Sequence, residues 1–508
     1  MSSNNGKKLG VAALAALVVS AMIGGGIFSL PQNMAQSAAL AAVIGAWIIT
    51  GVGMFFLSNT FRTLANICPD GGAGIYTYAR MGFGRFAGFQ MAWAYWLSNI
   101  FGNVGYAVLL MDALDYFFPG TFTGGNNLWS IIGGSIVIWT MNFAVLRGVT
   151  QAASVNTFGT ICKLIPIAIF ILVMLWVCRW SLFTENMTGQ LDLPQESIRP
   201  LGSLWDQIKS TMPVTLWAFI GIEGAVVLSG KAENTKAVGR ATILGFLACL
   251  TIYALLSILP FGQMTQHQLS GLANPSTAPL LQHVVGDWGG WLMNLGVIIA
   301  LMTSWLAFTI MVAQIPFTAA EDGTFPAIFR RENSHGSPDV SLWVTSSMMQ
   351  AAMIFVYFAN NAWNTMLSVT AVMILPPYLA CTAYLWKRCQ TGTYPADAPV
   401  KPHFALLCGI FGTVYAIWMI YSAGLSYLLS ATIFMALGIP VFVRARQEEI
   451  RQRGMQEEVF TRVERRCAIL LIIAALGAVL MMVFRTPTVE KHVHKWTSEV
   501  VQDVKQQY

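Results

Sequence analysis

The strongest constraint on the fold is the recurrence of long apolar stretches along the chain. They fall near residues 9–30, 38–59, 86–118, 127–146, 155–178, 211–230, 241–262, 288–318, 341–358, 363–386, 404–421, 425–443 and 467–484. About 20 apolar residues in a helix cross the hydrocarbon core of a bilayer, so each stretch is a candidate transmembrane helix. Charged residues are 10% of the 508 residues, against roughly 25% in an ordinary soluble domain. The sequence therefore predicts an all-α polytopic membrane protein with 12–13 transmembrane helices in the lipid bilayer.

The lysines and arginines orient these helices. If all thirteen stretches cross, 21 of the 29 basic residues share a side with the N-terminus and only seven lie on the other side. Basic residues concentrate in cytoplasmic loops, which predicts a cytoplasmic N-terminus and, with thirteen crossings, an external C-terminus. The predicted location is the cytoplasmic (inner) membrane. Because the basic residues flank membrane spans, the net charge of +6 does not indicate a nucleic-acid partner.

Motif searches argue against several other classes of protein. The eight cysteines are scattered without a CxxC or Cys/His spacing, and no HExxH, GxSxG or EF-hand pattern occurs. The sequence therefore predicts no enzyme, no metal site and no cofactor.

One carboxylate stands inside an apolar run, Glu223, in the stretch from Thr211 to Gly230. A charge at membrane depth costs at least about 2.5 kcal/mol and usually faces a partner or a solute pathway. Gly221 and Gly224 bracket it, and Trp217 lies six residues upstream. Helix breakers beside an intramembrane charge predict an interrupted helix that lines a solute site.

The first span contains three consecutive glycines, Gly24, Gly25 and Gly26. They can let the helix unwind and offer backbone N–H groups to a carboxylate. They can equally allow close helix–helix packing through small residues. A second glycine-flanked break at Glu223 favours the unwound segment.

Lys163 is a second charge inside an apolar span. Its side chain could extend to the nearby membrane interface. Alternatively, it is an internal cation that occupies a position which a sodium ion would otherwise fill.

Two spans carry aromatic and amide side chains on one helical face. In the third, Trp93, Trp96 and Asn99 follow one another at intervals of three residues, and Asn103 continues the stripe. In the eighth, Trp305 and Phe308 share a face. Such rings could attract an ammonium or guanidinium group by about 1–2 kcal/mol, although buried aromatic residues usually only pack.

Several motifs together resemble the amino acid–polyamine–organocation superfamily, specifically its basic amino acid/polyamine antiporters. They are MIGGGIFSLP in span one, PDGGAGIYTYAR after span two, TLWAFIGIEGA with AENTKAVGRAT around span six, and AAEDGTFPAIF after span eight. The resemblance covers spans one to twelve.

The resemblance implies a leucine-transporter-type 5+5 inverted repeat with broken helices 1 and 6. The transport core would span residues 1–390, with repeats at 1–180 and 205–390. Residues 400–443 would add helices 11 and 12. A charged cytoplasmic connector, expected to be a solvated or interfacial helix, would follow at 444–466, a thirteenth helix at 467–484 and a polar tail at 485–508.

The resemblance also assigns roles to individual residues. Gly24, Gly25 and Gly26, with the adjacent Ile23, would bind the substrate carboxylate and amino group, and Asn99 would supply a polar contact. Trp217 would cover the substrate, and Ile220 would provide a backbone contact. Phe308 aligns better than Trp305 with the aromatic residue of span eight. Glu223 would act in gating or coupling, and Lys163 would replace sodium.

The function implied is exchange of a cationic amino acid for a related amino acid or amine by alternating access. Arginine/ornithine is the favoured pair, and lysine, histidine and decarboxylation products stay open because Ala218 stands where related exchangers have a hydroxyl. Alternatives are a proton-coupled symporter or uniporter and, more remotely, an amino acid sensor that does not transport. The oligomeric state is open between a monomer and a homodimer.

Overall fold

The computed structural model describes residues 22–68, 75–148, 153–188, 201–223, 235–454 and 456–484, with residues 11, 15, 18 and 19. Three predicted features therefore lie wholly or partly outside the described residues. They are the start of span one, the second half of span six with the loop after it, and the tail at 485–508.

Helices make up the regular structure of the described chain. They are α1 Leu30–Ala35, α2 Leu40–Ile67, α3 Ile75–Phe83, α4 Arg85–Asp115, α5 Leu128–Leu146, α6 Ala153–Val177, α7 Trp180–Glu185, α8 Leu204–Ala218, α9 Thr235–Ile258, α10 Gln266–Ser270, α11 Thr277–Val285, α12 Asp287–Glu321, α13 Asp339–Val356, α14 Ala362–Gln390, α15 Pro402–Ser422, α16 Leu425–Ala436, α17 Ile439–Arg453 and α18 Arg462–Phe484. Short 3-10 helices cover Gly25–Ser29, Thr123–Gly125, Leu259–Gly262 and Ala327–Arg330.

The described helices confirm the all-α polytopic fold. Ten helical segments are long and apolar enough to cross a membrane, and the apolar part of α6, Ile161–Val177, is a shorter candidate. Large apolar side chains point away from the protein along these helices, for example Trp176 on α6, which is 83% exposed. In a bilayer such side chains face lipid, because the hydrocarbon core is as apolar as they are.

The same order of elements occurs twice in the chain. Span one ends in a break before Gly25–Ser29, and span six, α8, ends at Ala218. A long helix of 31 residues, α4, is the third span, and a helix of 35 residues, α12, is the eighth. Short helices precede both, α3 in the first half and α10 with α11 in the second. This order is that of the predicted five-plus-five repeat.

Two long helices, α4 and α14, form the centre of the bundle. Helix α4 packs along α14 and α12, and α14 also packs against α15. Most residues of α4 are buried, including the large rings of Phe89 and Trp96. Since these buried side chains pack closely, the central helices form a frame against which the two broken helices lie.

The segment 444–466, expected to be a solvated or interfacial connector, is partly packed on the protein. Helix α17 continues from Ile439 through the first ten residues of the segment 444–466 and ends at Gly454, which has a left-handed φ of +61°. Its Arg446 and Glu449 are buried, so this face is packed on the protein rather than solvated. Glu449 pairs with Arg85 at the start of α4 and with Arg446 of its own helix, which attaches this face to the protein.

Candidate functional site

A cavity lies where the two broken helices approach α4 and α12. Its lining comes from the breaks, from α4, and from single residues of α12 and α14: Met22, Gly24, Ile27, Ser98, Asn99, Gly102, Asn103, Tyr106, Trp217, Ala218, Ile220, Phe308 and Thr370. Each of these side chains is uncharged. The cavity is therefore a polar and aromatic chamber inside an apolar bundle.

The backbone explains why both helices break here. Gly24 is extended, with φ −92° and ψ −179°, and the chain then restarts as the 3-10 helix Gly25–Ser29. Helix α8 ends at Ala218 and continues as turns, in which Ile220 donates its N–H to the Trp217 carbonyl at 3.1 Å. Gly221 follows with φ +103°, a conformation that glycine adopts without strain. Non-helical backbone at membrane depth is tolerated where it lines a cavity.

The three glycines of span one serve close packing as well as the cavity. A Cβ atom added to Gly25 would lie 2.3 Å from a Leu301 methyl carbon, and one added to Gly26 would lie 1.7 Å from the Trp217 ring. Gly24 lines the cavity, where an added Cβ would lie 2.3 Å from the Tyr106 hydroxyl oxygen. Neighbouring side chains therefore occupy the space beside all three glycines.

The polar lining is strongest on α4. Asn99 donates its side-chain N–H to the Tyr95 carbonyl of its own helix at 2.8 Å. Asn103 is 2% exposed, and neither atom of its amide has a hydrogen-bond partner among the described residues. A buried amide without a partner costs about 1–3 kcal/mol, which a ligand that bonds to it would recover. Asn103 is therefore better placed than Asn99 to form a hydrogen bond with a ligand.

Aromatic rings enclose the remaining walls. Trp217 meets Trp363 edge to face at 5.3 Å between ring centroids, and Phe308 meets Tyr106 in the same way at 5.5 Å. Trp305 is fully buried and lies outside the lining, so Phe308 is the aromatic residue that α12 presents to the cavity.

Glu223 lies beside the cavity rather than in its lining. Its two carboxylate oxygens accept hydrogen bonds from the Tyr95 hydroxyl at 3.0 Å and the Tyr378 hydroxyl at 2.7 Å. The second of these oxygens also accepts the N–H of Gly221 at 3.1 Å. The carboxylate thus joins the end of the broken α8 to α4 and α14, the two helices of the central frame.

Lys163 is 4% exposed on α6. It does not line the cavity. Burial of this degree leaves its ammonium inside the protein rather than at the membrane interface, and its role in place of sodium stays a prediction.

The structure brings together five of the predicted contact residues, Gly24, Asn99, Trp217, Ile220 and Phe308. Four others, Ile23, Gly25, Gly26 and Trp305, are buried behind the lining. Sequence reasoning did not select Ser98, Asn103, Tyr106 or Thr370 as site residues. Asn103 was already placed on the stripe of Asn99 by its helical spacing, and Tyr106, seven residues after Asn99, could have been found by the same period. Nothing in the sequence indicated Thr370, which lines the cavity from α14.

A cavity at two helix breaks inside a bundle of apolar helices is the arrangement in which many membrane transporters bind a small solute. The amino acid permease family model matches residues 9–441. The chain belongs to this family, which confirms the resemblance to the amino acid–polyamine–organocation superfamily, and it is a transporter rather than an enzyme.

Curated relatives match over almost the whole chain. The arginine/agmatine antiporter of Chlamydia abortus is 53% identical over 484 residues, which are 95% of this chain and 98% of the relative. The arginine/agmatine antiporter of Chlamydia pneumoniae is 56% identical over 443 residues, which are 87% of this chain and 91% of the relative.

Proposed function

We propose that the protein exchanges a cationic amino acid for a related amino acid or amine across the cytoplasmic membrane. The observation that carries this proposal is the chamber between the two helix breaks, with aromatic rings and a buried unpaired amide. Backbone at the breaks can take the α-carboxylate and α-amino groups, and rings and amides can take a cationic side chain.

Arginine and agmatine are the proposed pair. Both carry a guanidinium group, which is weakly hydrated and stacks on aromatic faces, whereas ornithine ends in a strongly hydrated ammonium group. The lining offers rings and amides and, among the described residues, no carboxylate to pair with an ammonium. The names of the Chlamydia relatives support the same pair. Arginine/ornithine, which the sequence favours, is the competing pair.

Exchange requires that the loaded carrier changes conformation faster than the empty one. A substrate can speed this change only if it interacts more favourably with the occluded state than with the open one. Trp217 suits this role, because it closes the cavity from the broken α8 and touches span one at Gly26. Rocking of the broken helices against the central frame would then carry the site from one side to the other.

Counterflow in proteoliposomes tests the proposal. Vesicles loaded with unlabelled arginine should accumulate external labelled arginine, and internal agmatine should support the same uptake. Internal ornithine should support it less, and lysine, histidine and their amines complete the panel. Ornithine as effective as arginine, with agmatine inactive, would reverse the choice of pair.

The rival transport mechanisms give a different result. A uniporter or proton-coupled symporter would release preloaded labelled arginine without any external amino acid, whereas an exchanger retains it. A sensor would bind arginine and release none under either condition.

A further inference from the structure

The hydroxyl group of Tyr106 is a polar feature of the cavity that the roles assigned so far do not use. Tyr106 lines the cavity from α4, and its ring is held edge to face against Phe308. Its hydroxyl makes no hydrogen bond among the described residues. Because Tyr106 lines the cavity, this hydroxyl is free to donate a hydrogen bond to a ligand bound there.

The position of this hydroxyl indicates which part of a substrate it meets. It lies so close to the helix break that a Cβ added to Gly24 would come within 2.3 Å of its oxygen. The break at Gly24 starts a helical segment, and a helix start attracts a carboxylate through its N–H groups. The hydroxyl therefore borders the space in which the proposed function puts the α-carboxylate.

The rest of the α4 stripe lies farther along the helix. Asn103 is three residues from Tyr106 and Asn99 is seven, which is roughly 10 Å along the axis. Measured from a carboxylate oxygen to the outer guanidinium nitrogens, an extended arginine has about this length. One face of α4 thus offers a hydroxyl at the carboxylate end of the cavity and amides toward the side-chain end.

We propose that Tyr106 is a specificity-determining residue, whose hydroxyl donates a hydrogen bond to the α-carboxylate of the amino acid substrate. This inference rests on the proposed function. It adds a side-chain donor, beside the backbone N–H groups, that distinguishes the amino acid from its decarboxylated amine, since the amine has no acceptor for this donor. A hydrogen bond to a charged acceptor is also stronger than one between neutral groups.

Tyr106→Phe tests the inference, because it removes the hydroxyl and keeps the ring that packs on Phe308. Inhibition of labelled substrate uptake is measured with arginine, with agmatine, which lacks the carboxylate, and with argininamide, in which it is neutral. The variant should bind arginine at least about tenfold more weakly and bind agmatine as the unaltered protein does. The preference for arginine over argininamide should shrink by a similar factor.

Tyr427→Phe is the matched control, since Tyr427 lies on α16 and does not line the cavity. It should leave all three inhibition constants unchanged. Equal weakening of arginine and agmatine by Tyr106→Phe would show that Tyr106 only shapes the cavity, and unchanged constants would show that its hydroxyl makes no contact. Either result overturns the inference.

Failure of the proposed function is seen separately, in the unaltered protein. If that protein carries neither arginine nor agmatine, the proposed pair is wrong. The ratio of the inhibition constants is then measured for the amino acid that it does carry and the corresponding amine. A ratio unaffected by Tyr106→Phe would again overturn the role of the hydroxyl.

Discussion

At the scale of single residues, hydrogen bonding distinguishes the polar groups that connect helices from those that are available to a ligand. Glu223 is satisfied by two tyrosine hydroxyls and a backbone N–H, whereas the buried Asn103 amide is unpaired among the described residues and Tyr106 lines the cavity. A satisfied carboxylate beside the cavity is placed to couple helices rather than to bind substrate. The gating or coupling role of Glu223 stays a prediction.

Glu223→Gln should slow exchange by about tenfold or more, because glutamine presents one acceptor oxygen where three donors converge and its NH₂ faces another donor. The substitution also removes a group that can take up a proton, so any pH dependence contributed by Glu223 should be lost. Both effects are measured by arginine exchange in proteoliposomes across a range of pH. Glu332→Gln, at an exposed loop position, is the control. An unaltered rate and pH profile in Glu223→Gln would remove the coupling role.

At the scale of elements, the last two helices are tied to the transport core by one buried carboxylate. Glu449 of α17 accepts a hydrogen bond from Arg85 Nη1 at 2.7 Å and another from Arg446 Nη1 at 2.6 Å. Arg85 is the first residue of α4. Arg453 approaches its other oxygen at 3.3 Å. Arg446 also pairs with Glu457, just before α18.

Two further contacts extend this attachment. Glu464, in the first turn of α18, accepts the Phe86 N–H of α4 at 3.0 Å. Glu448 accepts the Ala327 N–H, in the loop after α12, at 2.8 Å. The charged segment is therefore an interface between the appended helices and the core, which the pattern of alternating charges did not reveal.

Glu449→Gln should lower the apparent melting temperature of the purified protein. Removing the carboxylate leaves the buried Arg446 with one acidic partner, and breaking a buried ion pair from one side typically costs about 3 kcal/mol or more. Glu458→Gln is the matched control, since the pair of Glu458 with Arg465 is largely exposed and contributes about 1 kcal/mol or less. Equal melting temperatures for the two variants would contradict a role of Glu449 in stability.

At the scale of the whole molecule, basic residues from several helices make their contacts at one end of the bundle. Arg80 pairs with Asp322 at 3.1 Å, Arg85 pairs with Glu449, and Lys387 donates to the Gly82 carbonyl at 2.7 Å. The start of α4 and the ends of α12, α14 and α17 therefore meet at one basic end of the bundle. This is the end that the distribution of basic residues predicts to be cytoplasmic.

Reporter fusions test the topology. Alkaline phosphatase fused after Tyr508 should be active, because thirteen crossings put the C-terminus outside. The same reporter fused after Arg453, at the basic end, should be inactive, and a fluorescent protein should give the opposite pattern at both sites. The same outcome at both sites would mean that α18 does not cross.

The sequence by itself determined the membrane class, the order of the apolar helices and the regions of both helix breaks. These features follow from local composition: apolar length decides which segments prefer lipid, and glycines decide where a helix can open. Glu223 was identifiable for the same reason, since the cost of a charge in an apolar run does not depend on its neighbours.

Only the tertiary structure decided which side chains meet. Tyr95 and Tyr378 converge on Glu223 from helices far apart in the chain, and Thr370 reaches the cavity from α14. Helical periodicity left Trp305 and Phe308 on one face, and packing then buried the first and turned the second to the cavity. Packing between distant helices sets these contacts, and no local pattern records it.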